Sequence, residues 1–223
     1  MSLPQNKSIL NKWILYTSAG WIIGIFLLIG FSSLLEGVKF AGQSPVAIGM
    51  GAGIGFMQWM VLRKHAHMPI QWFWFTIIGL TIPYLLFDLA SAYIIDLKPE
   101  NFIPLVTIVG ALLVSWLQYQ YILRNTYDNS VKWILYNSFA WLIAAGVTFG
   151  GFEASRLLKM DRAIAVPLAF FIVVIGGPIL GFISGPNILS ILKHRRSASE
   201  PVENPGSIKL VNKPGESVTS SLD

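Results

Sequence analysis

Asp88 is the residue most able to do chemistry in this chain, because its carboxylate lies well inside an apolar segment, 70–95. A buried carboxylate is costly, so such residues usually face a bundle interior or water and mark ion or substrate paths. The structural alternative is a protonated or hydrogen-bonded Asp88 paired with Tyr84, Ser91 or a polar group on another helix. Gln58 is the second intramembrane polar candidate, placed to hydrogen-bond across to a neighbouring helix. His65 and His67 share a short basic loop with Arg63 and Lys64. No carboxylate or third ligand lies near them, so contact with lipid headgroups is expected there instead of a metal site. No His-Glu-x-x-His pair and no Ser/Lys or Ser/His arrangement falls within an apolar segment. The chain has no cysteine, which removes thiolate metal sites, disulfides and cysteine nucleophiles. A non-enzymatic protein without catalytic residues, metal or cofactor is the expectation.

The elements that carry these residues are membrane helices. Of 223 residues, 54% are apolar and only 12% charged, about half the charged share of a soluble domain. Mean hydropathy is +0.61. Six apolar segments, 13–31, 44–62, 70–95, 102–123, 132–151 and 164–192, approach the ~20 residues that cross a bilayer as helix. None alternates with period two, as a β-barrel would require. The run Trp13–Phe31 exceeds a signal-peptide core and lacks an Ala-x-Ala exit, so it reads as a retained membrane helix. Pro178 and Pro186 predict a kink in the last helix.

Basic residues predict the orientation. Lys7, Lys12, Arg63, Lys64, Arg124, Lys132, Lys193, Arg195 and Arg196 fall on one side, against Lys39, Lys98, Arg156, Lys159 and Arg162 on the other. That bias places both termini in the cytoplasm and the protein in the cell inner membrane. The net charge of +5 is thus a topology signal, and no basic stripe interleaved with aromatics suggests nucleic-acid binding. The expected organisation is a cytoplasmic N-terminus (1–12), a six-helix domain (13–193) and a disordered cytoplasmic tail (194–223). Residues 151–163 are either an interfacial helix or a solvated loop.

An internal repeat runs through the six segments. Trp13-Ile14-Leu15-Tyr16 returns as Trp133-Ile134-Leu135-Tyr136, and Trp72-Phe73-Trp74-Phe75 stands between them. Arg63, closing Gln58-Trp59-Met60-Val61-Leu62-Arg63, has a counterpart in Arg124, closing Tyr119-Gln120-Tyr121-Ile122-Leu123-Arg124. Gly185 precedes Lys193 by the same interval as Gly55 precedes Arg63. Three units of two helices each are predicted, the second carrying one extra residue that should shift its helical face. Trp59, Arg63, Trp72, Arg124 and Trp133 are expected to anchor helix ends at the membrane interface. Gly51 with Gly55, and Gly181 with Gly185, are spaced for close helix packing. The run Gly49-Met-Gly-Ala-Gly-Ile-Gly55 follows no strand and lacks a Lys-Ser/Thr, so it is not a phosphate loop.

Gly55-Phe-Met-Gln-Trp-Met-Val-Leu-Arg63 and Gly20-Trp21 resemble the repeated Gly-x-x-Gln-Trp-Leu-Val-Leu-Arg and Gly-Trp motifs of uncharacterised multi-pass membrane proteins common in cyanobacteria and related bacteria. Ala140-Trp141 and Gly79-Leu80 are degraded copies, and Gly181-Phe-Ile-Ser-Gly185-Pro186 resembles the close of the final helix. The resemblance spans about residues 12–193 and implies membrane location and repeat architecture, with no activity attached. The chain is therefore expected to be an all-α, six-helix polytopic protein. Its partners are the lipid bilayer and other membrane proteins, in a scaffold or assembly role. The competing expectation is a small-solute or ion transporter working through the bundle interior around Asp88. Oligomeric state has no signature in the chain.

Overall fold

The apolar run 13–31 has no internal proline, which favours one continuous helix, and Leu3–Leu34 forms it (α1). The computed structural model describes residues 3–34, 42–93, 102–128, 130–157 and 162–194. After α1 come α2 (Ser44–Ala66), α3 (Gln71–Tyr93), α4 (Ile103–Gln118), α5 (Lys132–Leu157) and α6 (Arg162–Lys193). At Tyr119–Leu123 α4 passes into a π-helical turn. The described chain is almost entirely helical, without a strand, and six helices are long and apolar enough to cross a membrane. Large apolar side chains such as Leu15, Phe26, Leu86, Leu105, Leu135 and Phe182 are exposed around the outside, as lipid contact requires.

Local signals set the helix ends. Pro45 sits in the first turn of α2, where its missing N–H leaves no broken bond. His67 takes a left-handed conformation (φ 54°) just past α2, and the Met68 N–H reaches back to the Leu62 carbonyl at 3.5 Å. This is the geometry that satisfies an orphan carbonyl at a helix C-terminus, and Pro69 then prevents continuation.

Each helix packs against the one before and after it in sequence, and α6 returns to α1, closing an antiparallel ring. Small residues let the backbones approach. A Cβ on Gly20 would lie 2.7 Å from the Gly53 carbonyl oxygen, and one on Gly24 3.0 Å from Met50 Cα. Gly49 and Gly53 thus face α1, while Gly51 and Gly55 face α3, 2.9 Å from Ile77 Cα and 2.8 Å from Thr76 Cβ by the same construction. Gly181 and Gly185 seat α6 on Ile14, Leu10 and Trp13 of α1. Lipid tails give no hydrophobic drive between helices, so such close dispersion contacts carry the association.

The structure bears on three sequence expectations. Residues 3–12, expected as the cytoplasmic N-terminus, are the first turns of α1; Ile9 is buried and Leu10 abuts Gly185, so α6 supplies a packing surface for them. The first half of 151–163 completes α5 instead of forming an interfacial helix, and residues 158–161 lie outside the described chain. Helix α6 runs as one element through Pro167, Pro178 and Pro186, and the kink expected at Pro178 or Pro186 is compatible with that continuity. The predicted tail beyond His194 lies outside the described residues.

Candidate functional site

Trp13, Trp72 and Trp133 begin the membrane portions of α1, α3 and α5, and all three are buried on the ring axis. Trp133 is the hub: its ring centroid lies 5.4 Å from that of Trp72 and 6.4 Å from that of Trp13, the second pair edge-on at 78°. Around them pack Val61, Leu62, Ile122, Leu123, Ile188 and Ile191 from the ends of α2, α4 and α6. The expectation that Trp72 and Trp133 point outward to headgroups is therefore overturned, since both are 0% exposed. At this level three indoles meet inside the ring, with aliphatic side chains packed around them.

One turn further in lie Thr17, Thr76 and Asn137, also buried. They belong to a set of amide and hydroxyl bonds. The Trp133 indole N–H donates to Gln118 Oε1 (2.9 Å), Gln118 Nε2 donates to Thr76 Oγ1 (3.0 Å), and that hydroxyl donates to the Trp72 carbonyl (2.8 Å). Trp13 donates to Ser184 Oγ at 3.0 Å, and Asn137 Nδ2 donates to Ser115 Oγ at 2.9 Å. At the corresponding place between α2, α3 and α1, Trp72 Nε1, Gln58 Nε2 and Thr17 Oγ1 are buried without partners. The cross-helix bond expected of Gln58 is thus made by Gln118. Counting back from Arg124 aligns Tyr119 with Gln58 and hides Gln118; counting forward from Ala111 and Ser115, the small residues standing where α2 has Gly51 and Gly55, would have found it.

The π turn explains the offset. Arg124 N–H bonds to the Tyr119 carbonyl at 2.8 Å, so the extra residue of the second unit bulges out there. Its helical face is not shifted beyond the bulge: Ile122 and Leu123 are buried just as Val61 and Leu62 are.

Trp59 and Arg63 share a face at the end of α2, with the guanidinium 5.2 Å from the indole centroid. The Trp59 N–H donates to the Met68 carbonyl at 3.2 Å. Arg124 is exposed and donates to Gln120 Oε1. His65 is bound through Nδ1 to the Val61 carbonyl. No group of three metal-ligating side chains occurs among the described residues.

Asp88 lies at the opposite end of the ring. Its carboxylate accepts hydrogen bonds from the Gln43 N–H (2.9 Å), the Ser44 N–H (2.7 Å) and the Ser44 hydroxyl (2.7 Å). An anion at a helix N-terminus meets unsatisfied N–H groups and the positive end of the helix dipole. Asp88 therefore caps α2 from α3. It is paired neither with Tyr84, whose hydroxyl meets Thr107, nor with Ser91, whose hydroxyl is buried without a partner.

Between the cap and the tryptophan layer the ring holds a half-open cavity of about 290 Å³, lined from all six helices. Trp21, Leu80 and Trp141 line it, the two indoles 6.0 Å apart. Trp21 is held by its N–H to the Val173 carbonyl at 2.8 Å. Comparison with protein-family models, curated proteins and solved structures finds no match to this chain.

Proposed function

We propose that this chain is a non-enzymatic scaffold or assembly protein of the bacterial inner membrane, built as three copies of a two-helix unit closed into a ring. The observation that carries this reading is the engagement of Asp88 as the cap of α2, which leaves it serving the fold and not an ion path. The filling of the axis by Trp13, Trp72 and Trp133 supports it further. The burial of Trp13, Trp72 and Trp133, and of Thr17, Thr76 and Asn137 four residues on, supports the threefold repeat. Membership of the multi-pass family with Gln-Trp-x-x-Leu-Arg motifs is part of the same proposal. So is a cytoplasmic location of both termini, supported by the clustering of α1's start with the basic ends of α2, α4 and α6. Large exposed apolar faces on every side are available to lipid and to protein partners.

Purification from native membranes in mild detergent, followed by mass spectrometry, tests the scaffold role. A stoichiometric protein partner, retained by Asp88→Asn, is the expected result. Isolation without a partner, combined with solute flux in proteoliposomes that Asp88→Asn abolishes, would overturn it in favour of transport.

A further inference from the structure

We infer that the cavity between Asp88's cap and the tryptophan layer binds an uncharged hydrocarbon chain or ring of a lipid-soluble molecule. The inference rests on the cavity alone and stands whether or not a protein partner is found.

Size comes first. A dry apolar cavity of ~150 Å³ takes up one benzene, so 290 Å³ accommodates about twelve carbon atoms in proportion. The walls are apolar, with Ile25, Val46, Ala47, Met50 and Leu80 prominent, and among the described residues no charged side chain lines the space. The few polar groups have little left to donate. Thr107 donates to the Ile103 carbonyl, so Tyr84 is the donor in the Tyr84–Thr107 pair. Thr148 likewise donates to the Ala144 carbonyl. What is left to meet a ligand is oxygen lone pairs, the Gln43 amide and the Trp141 indole N–H, enough for one hydroxyl or carbonyl. Among the described residues a phosphate or carboxylate would find neither a cation nor a set of free N–H donors, and burying it unpaired is costly. The chemistry selects a single alkyl or prenyl chain, or a compact ring system, with at most one weakly polar end. Such a molecule is abundant in the bilayer, where the ring's apolar exterior also belongs, and scarce in water.

Tryptophan fluorescence tests this. Of eight tryptophans, Trp21 and Trp141 line the cavity. The protein is placed in nanodiscs of unbrominated phosphatidylcholine and titrated with 1-bromodecane, a heavy-atom quencher. A saturable loss of a quarter of the emission (two of eight) is expected above the linear background from lipid-facing rings. Ala145→Phe, which fills the cavity, should abolish the saturable part. Should that variant fail to fold, the Trp21→Phe/Trp141→Phe pair should lose the same component while Trp74→Phe retains it. Nanodiscs of dibrominated phosphatidylcholine identify the source. If they quench the same pair and leave bromodecane without further effect, the occupant is a bilayer acyl chain; if they do not, it is a free lipophile. Strictly linear quenching, or a saturable component unaffected by these variants, overturns the inference.

Discussion

The Trp133 indole N–H donates to Gln118 Oε1 at 2.9 Å, with both side chains fully enclosed by the ring. Through Gln118 Nε2 and Thr76 the same contact ties α5, α4 and α3 together. Gln58, its counterpart in α2, has a buried Nε2 with no partner.

That asymmetry predicts unequal substitutions. Gln118→Leu strands the Trp133 N–H and should lower stability by about 1–2 kcal/mol. Gln58→Leu removes an already unpaired amide group and should be neutral or mildly stabilising. Thermal unfolding in one detergent compares the two, and equal losses would show that Gln58 makes the same relay in solution.

The cap made by Asp88 should behave as a coupled unit. Asp88→Ala leaves the α2 N-terminus without its anion and should cost about 2 kcal/mol. Ser44→Ala removes the hydroxyl bond to the same carboxylate. In a double-mutant cycle the pair should cost at least 0.5 kcal/mol less than the sum of the singles. Additivity would mean the contact contributes nothing specific.

Glycines separate into those that face backbone and those that face space. Gly20→Ala pushes a methyl against the Gly53 carbonyl and Ile54 Cα, atoms that move only if α1 and α2 part. A loss of about 2–3 kcal/mol is expected. Gly30 has nothing within 4 Å of its Cβ position, so Gly30→Ala should stabilise by up to about 1 kcal/mol through helix propensity alone. Resistance to unfolding by sodium dodecyl sulfate reports both.

The π turn predicts a tolerated deletion. Removing exposed Tyr121 restores the four-residue spacing between inward positions that α2 shows from Gln58 to Leu62. Helicity and unfolding midpoint should change little. Removing Met60 from α2, where no bulge exists to absorb it, should prevent folding.

Because the chain has no cysteine, orientation can be read directly. His67→Cys, at the basic end, should react with a membrane-impermeant maleimide only after cells are opened. Tyr93→Cys, at the other end of α3, should react in intact cells. The reverse labelling would invert the proposed topology.

Six membrane helices were legible in the chain because burial in lipid demands about twenty apolar residues in succession, a property of each segment by itself. The glycine pairs Gly51/Gly55 and Gly181/Gly185 were legible for a similar reason, since their four-residue spacing defines a helix face before any partner is known. What faces that face was not. The tryptophans show the limit most clearly: a Trp at a helix end suits a headgroup anchor as well as a core, and only ring closure turned Trp72 and Trp133 inward. Asp88 likewise carries one cost in any apolar segment, but its relief came from the N-terminus of α2, more than forty residues away in sequence. Gln118 was hidden by a one-residue bulge whose effect on register depends on how α4 packs. Periodicity and composition are local and survive in one dimension. Pairing across the ring is a three-dimensional closure, and it decided which polar groups hold the fold and where the apolar cavity lies.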